Sequence, residues 1–396
     1  MKPIIIVGSG MAGISVVREF RKLDSNSPII MITADEGGFY AKPNLSNAFA
    51  QNKLASQLRA QDATQVAEQL KVTVLQQTKV ITIDAERQTI NTSLGIFEYR
   101  SLVLAVGANA IQLPIEGSKE TKIFSVNHLD DYQIFRTQLG AIINRKRTAS
   151  IAIIGAGLIG CEFADDLVGA GFEVHLIDPN QHPIAALLPE ELSLQLQSAL
   201  INKGVQMHLG TTATKISPNG DQTIVHLANQ EQLCCDIILS AVGLRPNLEL
   251  AQLCAPTALD TERGILVDAY GQTSAKQIFA IGDCAQYTIN SDGRSLVLPY
   301  IAPILSAARS IAKTLNGEAT RIDFKPTPII VKTPSCPISV ITPFGIDQSE
   351  GTWSYEVNVD QIHLCRFTSN TGKLCGFALT PHDAKLRTSL TNEMTT

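Results

Sequence analysis

The chain has 396 residues, 44% of them hydrophobic and 17% charged, and a formal net charge of −5. That length predicts two or three domains with ample material for a core. An acidic balance in which no Lys/Arg cluster stands out argues against nucleic acid as a partner. No apolar run approaches a membrane span and no signal-type segment precedes the first strand, so the expectation is a soluble, cytoplasmic chain without membrane insertion.

The order of elements begins with an apolar strand at 3–7 and the turn Gly8-Ser9-Gly10-Met11-Ala12-Gly13. A strand running through G-x-G-x-x-G into a helix is built for a pyrophosphate: the glycines make the tight turn and the close approach, and helix N–H groups meet the phosphate. Ile14, Val17, Phe20 and Leu23 then mark one face of a helix reaching about Leu23. The next strand, Pro28–Thr33, ends at Ala34-Asp35-Glu36. An acid roughly 20 positions beyond the last glycine suits a ribose hydroxyl pair, and Asp35 and Glu36 both qualify. A glycine- and proline-bearing loop, 37–46, follows and contains Lys42. Short strands are expected at 71–74 and 79–84, with a buried one at 102–108, a linker near Pro114 and Gly117, and a helix over 129–147.

Ile151–Ile154 then leads into Gly155-Ala156-Gly157-Leu158-Ile159-Gly160, a second copy of the same turn. One such motif is weak evidence, but two in one chain suggest two dinucleotides with electron transfer between them. The helix after Gly160 reaches about 169–171, and strand 173–177 ends at Asp178. A carboxylate there holds a ribose 2′-hydroxyl and repels a 2′-phosphate, and Pro179-Asn180-Gln181-His182-Pro183 offers no arginine. NADH is therefore favoured over NADPH. A helix is expected over 187–202. Asp236–Asn247 echoes 102–108 in ending a hydrophobic strand at a glycine, here Gly243, as a duplicated architecture predicts. Gly282-Asp283 closes another apolar strand, where a carboxylate can accept hydrogen bonds from a sugar alcohol. The stretch 286–299 reads as a loop and 303–315 as a helix bearing Arg309 and Lys313. From about residue 318 prolines cluster and strands recur at 329–332, 354–359, 362–367 and 374–379, a small separate domain. Residues 388–396 read as a frayed polar tail.

Eight cysteines are scattered without a CxxC pair, and none precedes position 161. A thiol relay beside the first cofactor is excluded on that count, and vicinal Cys234-Cys235 reads as an ordinary approach to a strand. Histidines show no metal-ligand spacing, so no metal site is expected.

Together the two glycine turns, the two strand-glycine-proline echoes and Gly282-Asp283 resemble the two-dinucleotide-binding flavoprotein reductases, the superfamily of glutathione reductase and ferredoxin reductases. Within it, Met31–Asp35, Lys42-Pro43, Gly155–Ala164, Ser240–Pro246, Gly282–Ala285 and Val331–Pro337 look like the rubredoxin reductases. The resemblance implies an α/β fold of two Rossmann-like, glutathione-reductase-like domains. The NAD domain (114–245) would be inserted in a split FAD domain (1–113 and 246–317), and a small α+β C-terminal domain (318–396) would complete the flavin pocket and dock the acceptor. FAD would contact Gly8, Gly10, Met11, Ala12, Gly13, Ala34, Asp35, Lys42, Val80, Glu162, Asp283, Ile301 and Lys332. NADH would lie on Gly155, Gly157, Leu158, Ile159, Gly160, Asp178 and Gly243. Lys42 and Glu162 would be the catalytic pair, joined as an ion pair. The implied reaction carries electrons from NADH through FAD to rubredoxin, one at a time, for alkane hydroxylation, in a monomer. Arg309 and Lys313 are candidate cations for the acceptor dock. The alternatives are a ferredoxin reductase of a monooxygenase system and, from another class, a flavin-holding redox-signalling protein.

Overall fold

The computed structural model describes residues 1–396 other than 119, 120, 122, 145–147, 289–294, 345 and 396. The chain forms two compact units, each assembled from separated stretches. Met1–Ala41, Arg59–Asn109 and Leu244–Lys325 make the first; Lys42–Leu58, Ala110–Gly243 and Pro326–Thr396 make the second.

In the first unit every residue of strand Ile4–Val7 is buried, as its unbroken apolar run requires of a parallel strand covered on both faces. It is the middle strand of a five-stranded sheet ordered Ile278–Ala280, Ser101–Leu104, Ile4–Val7, Ile29–Ile32, Thr73–Leu75, parallel throughout. Helix Met11–Arg21 buries Ile14, Val17 and Phe20 against the core and packs on helix Ile301–Leu315. Leu23, expected on the same stripe, lies beyond the helix end and is exposed. The stretch 286–299, expected as a loop, is in part sheet: Ala285–Thr288 pairs antiparallel with Ser295–Val297, and 289–294 lie outside the described residues.

The second unit repeats the plan. Ser150–Ile154, wholly buried, is the middle strand of a parallel sheet ordered Ile123–Phe124, Ile237–Ser240, Ser150–Ile154, Glu173–Asp178, Gln206–Leu209. In both sheets the strand before the glycine turn is flanked by the strand that follows its helix and by the late strand of the sequence echo. Helix Glu190–Lys203 begins just after Pro189 with two glutamates in its first turn, where proline and acids suit a helix start. Helix Leu129–Ile143 accounts for most of the expected 129–147 segment; Asn144 is its C-cap, and 145–147 lie outside the described residues.

Residues 326–396 add a five-stranded antiparallel sheet ordered Ile329–Val331, Ile338–Ile341, Leu374–Thr380, His363–Ser369, Gly351–Val357. The expected frayed tail is instead helix Ala384–Thr395, and the reading stops short of Thr396, outside the described residues. Its polar composition concealed two buried positions four residues apart, Leu390 and Met394, which join Ile341, Leu364 and Phe377 in one cluster. The i, i+4 spacing puts both on one helical face.

Leu390 is 1% exposed, so Leu390→Ala should destabilise the protein by about 3 kcal/mol. Urea unfolding followed by circular dichroism checks this; an unchanged midpoint would mean the tail frays in solution.

Candidate functional site

Each glycine turn is locked by exclusion of side chains. Gly8 has φ +114° and Gly155 φ +106°, and a Cβ on Gly155 would stand 2.6 Å from the Ala241 carbonyl oxygen; one on Gly8 would collide with that of Ala105. Cβ atoms on Gly13 and Gly160 would run into the Gly8 and Gly155 carbonyls, so helix and strand close tightly. The middle glycines differ: among the described residues nothing lies within 4 Å of a Cβ built on Gly10 or Gly157. These two are the N-caps of helices Met11–Arg21 and Leu158–Gly169, with no side-chain capping bond and no acid in the first turn. Open space over uncapped N–H donors and a positive dipole end fits a pyrophosphate at both places.

In the first unit Asp35 Oδ1 accepts from the Gly37 N–H at 2.8 Å, the Thr33 hydroxyl at 2.6 Å and the Ser9 hydroxyl at 3.2 Å. The Ser9 hydroxyl also reaches Thr33 Oγ1 at 3.1 Å. Glu36, the other acid left open by the sequence, pairs outward with Arg59. Ser9 therefore ties the acid back to the glycine turn through Oδ1. Ala34 is exposed beside it, Val80 is the buried first residue of strand Val80–Asp84, and Ile301 is the exposed first residue of its helix. Gly282-Asp283 sits in a short 3-10 turn, and a Cβ on Gly282 would meet Ala12 Cβ at 2.9 Å. That turn thus adjoins the first turn of helix Met11–Arg21, and Asp283 is half-buried within it.

In the second unit Asp178 is likewise tied to the middle of its turn. Oδ2 accepts the Ala156 N–H at 2.6 Å; Oδ1 accepts the N–H and side-chain amide of Asn180, each at 2.8 Å. The carboxylate expected to meet a ribose thus also fixes the glycine turn. Ile159 is 40% exposed in the first helical turn, an apolar surface at the mouth of the cradle, with Leu158 beside it. Gly243, at φ +102°, accepts the Ile111 N–H at 3.2 Å in the connection after strand Ile237–Ser240.

Glu162, Lys42 and Lys332 also belong to the second unit. Glu162 is 0% exposed. Its Oε2 accepts the Ser46 hydroxyl at 2.5 Å and stands 3.7 Å from Lys332 Nζ; its Oε1 accepts the Lys332 N–H at 3.0 Å. The cation on Glu162 is Lys332, not the Lys42 of the expected ion pair. Lys42, at the start of the 3-10 helix Lys42–Asn47, donates to Asn127 Oδ1 at 3.4 Å. The reason is position: Lys332 meets the carboxylate with its backbone as well as its side chain, which a residue in the 42–47 turn does not.

The sequence reading passed over Ser9, Thr33, Ser46 and Asn180. A polar residue in the x position of G-x-G and an Asp-x-Asn pair at a strand end were the available signals. It also passed over Asp165 and Asp166, acids on an otherwise apolar helix. Asp166 accepts the Phe49 and Ala50 N–H groups at 2.7 and 3.0 Å. Burial pushes its carboxyl above the ordinary range while those N–H groups pull it down. Asp165 takes Lys203 Nζ at 2.8 Å and the Ser335 N–H at 3.3 Å.

Two phosphate cradles, each with its own strand-end acid, define a protein of two dinucleotide sites. The chain belongs to the pyridine nucleotide-disulphide oxidoreductase family, whose match spans residues 2–299. A second match, described as a rubredoxin binding C-terminal domain, spans residues 321–394. The chain is 42% identical over 396 residues to a rubredoxin-NAD(+) reductase of Alcanivorax borkumensis, covering 100% of this chain and 99% of that one. It is 40% identical to a rubredoxin-NAD(+) reductase of Acinetobacter baylyi, covering 96% and 94%. Among solved structures it resembles the ferredoxin reductase for the CYP199A2 system of Rhodopseudomonas palustris, at 25% identity and a TM-score of 0.87, covering 98% and 93%. The chain is an oxidoreductase and its cofactors are FAD and NADH. No helix among the described residues is long and apolar enough to cross a membrane.

On the expectation that Asp178 takes the NADH ribose, Asp178→Ala should lower kcat/KM for NADH by about tenfold or more and for NADPH by less, because the lost turn contact weakens both coenzymes while only NADH loses its ribose acceptor. Steady-state kinetics with both coenzymes checks this, and an unchanged NADH/NADPH ratio would remove Asp178 from specificity. The strand leading to Asp178 also carries His175, whose Nδ1 lies 3.2 Å from His208 Nε2, with Glu231 3.1 Å from His208 and Glu173 3.8 Å from His175. Burial, then His208, pulls the His175 pKa down. The unfolded chain then binds a proton that the folded chain resists. Stability is thus insensitive to His175 above the unfolded value of about 6.5 and falls as pH drops below it. Unfolding free energies at pH 5 and pH 8 should differ less in His175→Gln than in the parent; equal differences would exclude His175.

Proposed function

We propose that this enzyme carries electrons from NADH to rubredoxin, one at a time. The observation that carries the reading is the match of residues 321–394 to a rubredoxin binding domain, within a chain alike end to end to rubredoxin-NAD(+) reductases. One NADH gives up a hydride and leaves as NAD⁺, two ferric centres each gain one electron, and one proton is released. Bound FAD supplies the exchange between a two-electron donor and a one-electron acceptor.

The residues act by holding and orienting. In the first unit Gly8, Gly10, Met11, Ala12 and Gly13 cradle the FAD pyrophosphate, Asp35 accepts from the adenosine ribose and Asp283 from the ribityl chain, with Ala34, Val80 and Ile301 as further contacts. Gly155, Gly157, Leu158, Ile159 and Gly160 cradle NADH, Asp178 takes its ribose, and Gly243 gives the backbone room. Lys42 and Lys332 are assigned to the flavin through the family resemblance, and Glu162 acts through the Ser46 and Lys332 groups it holds. On this reading residues 1–113 and 246–317 serve FAD, 114–245 serve NADH and 318–396 serve the acceptor, in a cytoplasmic monomer supporting alkane hydroxylation. Of the two candidate docking cations, Arg309 is exposed and Lys313 is paired with Glu318 at 3.4 Å, so Arg309 is the better one for an acidic acceptor.

The likeness to a ferredoxin reductase structure favours a [2Fe–2S] acceptor as the second reading. Cytochrome c reduction driven by NADH, with purified rubredoxin or ferredoxin added, separates the two. Rubredoxin should raise the rate about tenfold or more over ferredoxin at equal concentration; equal or greater stimulation by ferredoxin would reverse the assignment.

A further inference from the structure

We propose that Tyr287 is a positioning residue for FAD, its phenol oxygen holding the Gly282 N–H and so aiming Asp283 at the cofactor's sugar alcohol. The proposal rests on the assignment of Asp283 to FAD. Tyr287 lies in strand Ala285–Thr288, is 2% exposed, and accepts the Gly282 N–H at 3.1 Å. Its ring is fixed edge-on to Phe324, centroids 5.0 Å apart at 70°. Burial pushes the phenol's pKa up, so the oxygen stays a neutral acceptor at working pH.

The neighbouring anchors show what this bond adds. Cys284, on the far side of Asp283, is held by its thiol against the carbonyls of Leu104 at 3.4 Å and Ile281 at 3.3 Å. The Ile281 N–H is held by the Leu104 carbonyl at 3.0 Å. Gly282 itself, at φ +79° and pressed against Ala12, gives its N–H to the Tyr287 oxygen. Tyr287 supplies the acceptor that this N–H would otherwise lack, and an orphaned buried donor costs about 1–3 kcal/mol. Without it the cheapest relief is a rotation of the Ile281-Gly282 peptide, which carries that N–H; the accompanying change at Gly282 redirects the Asp283 side chain that follows it. Phenylalanine keeps the ring and removes only the acceptor.

The test is a double-mutant cycle on FAD affinity, measured by flavin fluorescence quenching during titration of the apoprotein. Tyr287→Phe should weaken FAD about tenfold and alter the visible circular dichroism of bound flavin. In an Asp283→Ala background the same change should cost nothing further. Equal losses in both backgrounds, or undiminished affinity in Tyr287→Phe, would overturn the proposal and leave Tyr287 as packing alone. Should Tyr287→Phe fail to fold, 3,5-difluorotyrosine at 287, a weaker acceptor of the same shape, should weaken FAD a few-fold; unchanged affinity would overturn the proposal. A wild-type apoprotein that takes up no FAD would instead refute the cofactor reading. Undiminished FAD affinity in Asp283→Ala would refute the Asp283 assignment and the proposal with it.

Discussion

Helix Leu158–Gly169 carries three carboxylates withdrawn from water, and the second unit is organised by what satisfies them. Glu162 takes a hydroxyl from Ser46 and the N–H and ammonium of Lys332; Asp165 takes Lys203 and the Ser335 N–H; Asp166 takes the Phe49 and Ala50 N–H groups. A buried charge costs several kcal/mol unless it is paired and hydrogen-bonded, so these contacts must form together with the helix. They bring 42–58 and 326–396, far apart in sequence, onto one helix. The N-terminus of that same helix is the open turn proposed to cradle a phosphate. One element thus binds at its start and braces along its length.

The two cradles are built alike, yet their acids are held by different means. In the first unit a hydroxyl in the middle of the turn, Ser9, reaches Asp35. In the second, the corresponding Ala156 has no such side chain and its backbone N–H reaches Asp178 instead. The first arrangement gathers a backbone N–H and two hydroxyls on one carboxylate oxygen, Oδ1; the second employs both oxygens. The duplicated plan fixes where an acid stands, and the local side chains decide how it is held.

The buried thiols fit a mechanism without sulfur chemistry. Burial pushes Cys235 and Cys365 up to about 12 and Cys284 up to about 11, so their reactive thiolates are scarce at neutral pH. Cys284, two residues from Gly282, serves as a weak hydrogen-bond donor to carbonyls. In the proposed reaction the redox work falls to the two cofactors, and the polypeptide contributes orientation.

The sequence by itself determined both glycine turns, the central strands before them, the strand-end acids and the Gly282-Asp283 turn. Each depends on a backbone shape that admits no side chain, or on an apolar run that admits no water, and both constraints are written in consecutive residues. Only the tertiary structure decided that Lys332 and not Lys42 faces Glu162, that Asp35 and not Glu36 turns to the cradle, that Leu390 and Met394 pin a polar tail as a helix, and that Tyr287 meets Gly282. The first three depend on groups brought together by long-range packing. The last spans five residues, but its N–H is turned toward the ring by a left-handed glycine pressed on Ala12 in another element. No local pattern encodes which distant partner satisfies a buried donor or charge, because that choice belongs to the fold as a whole.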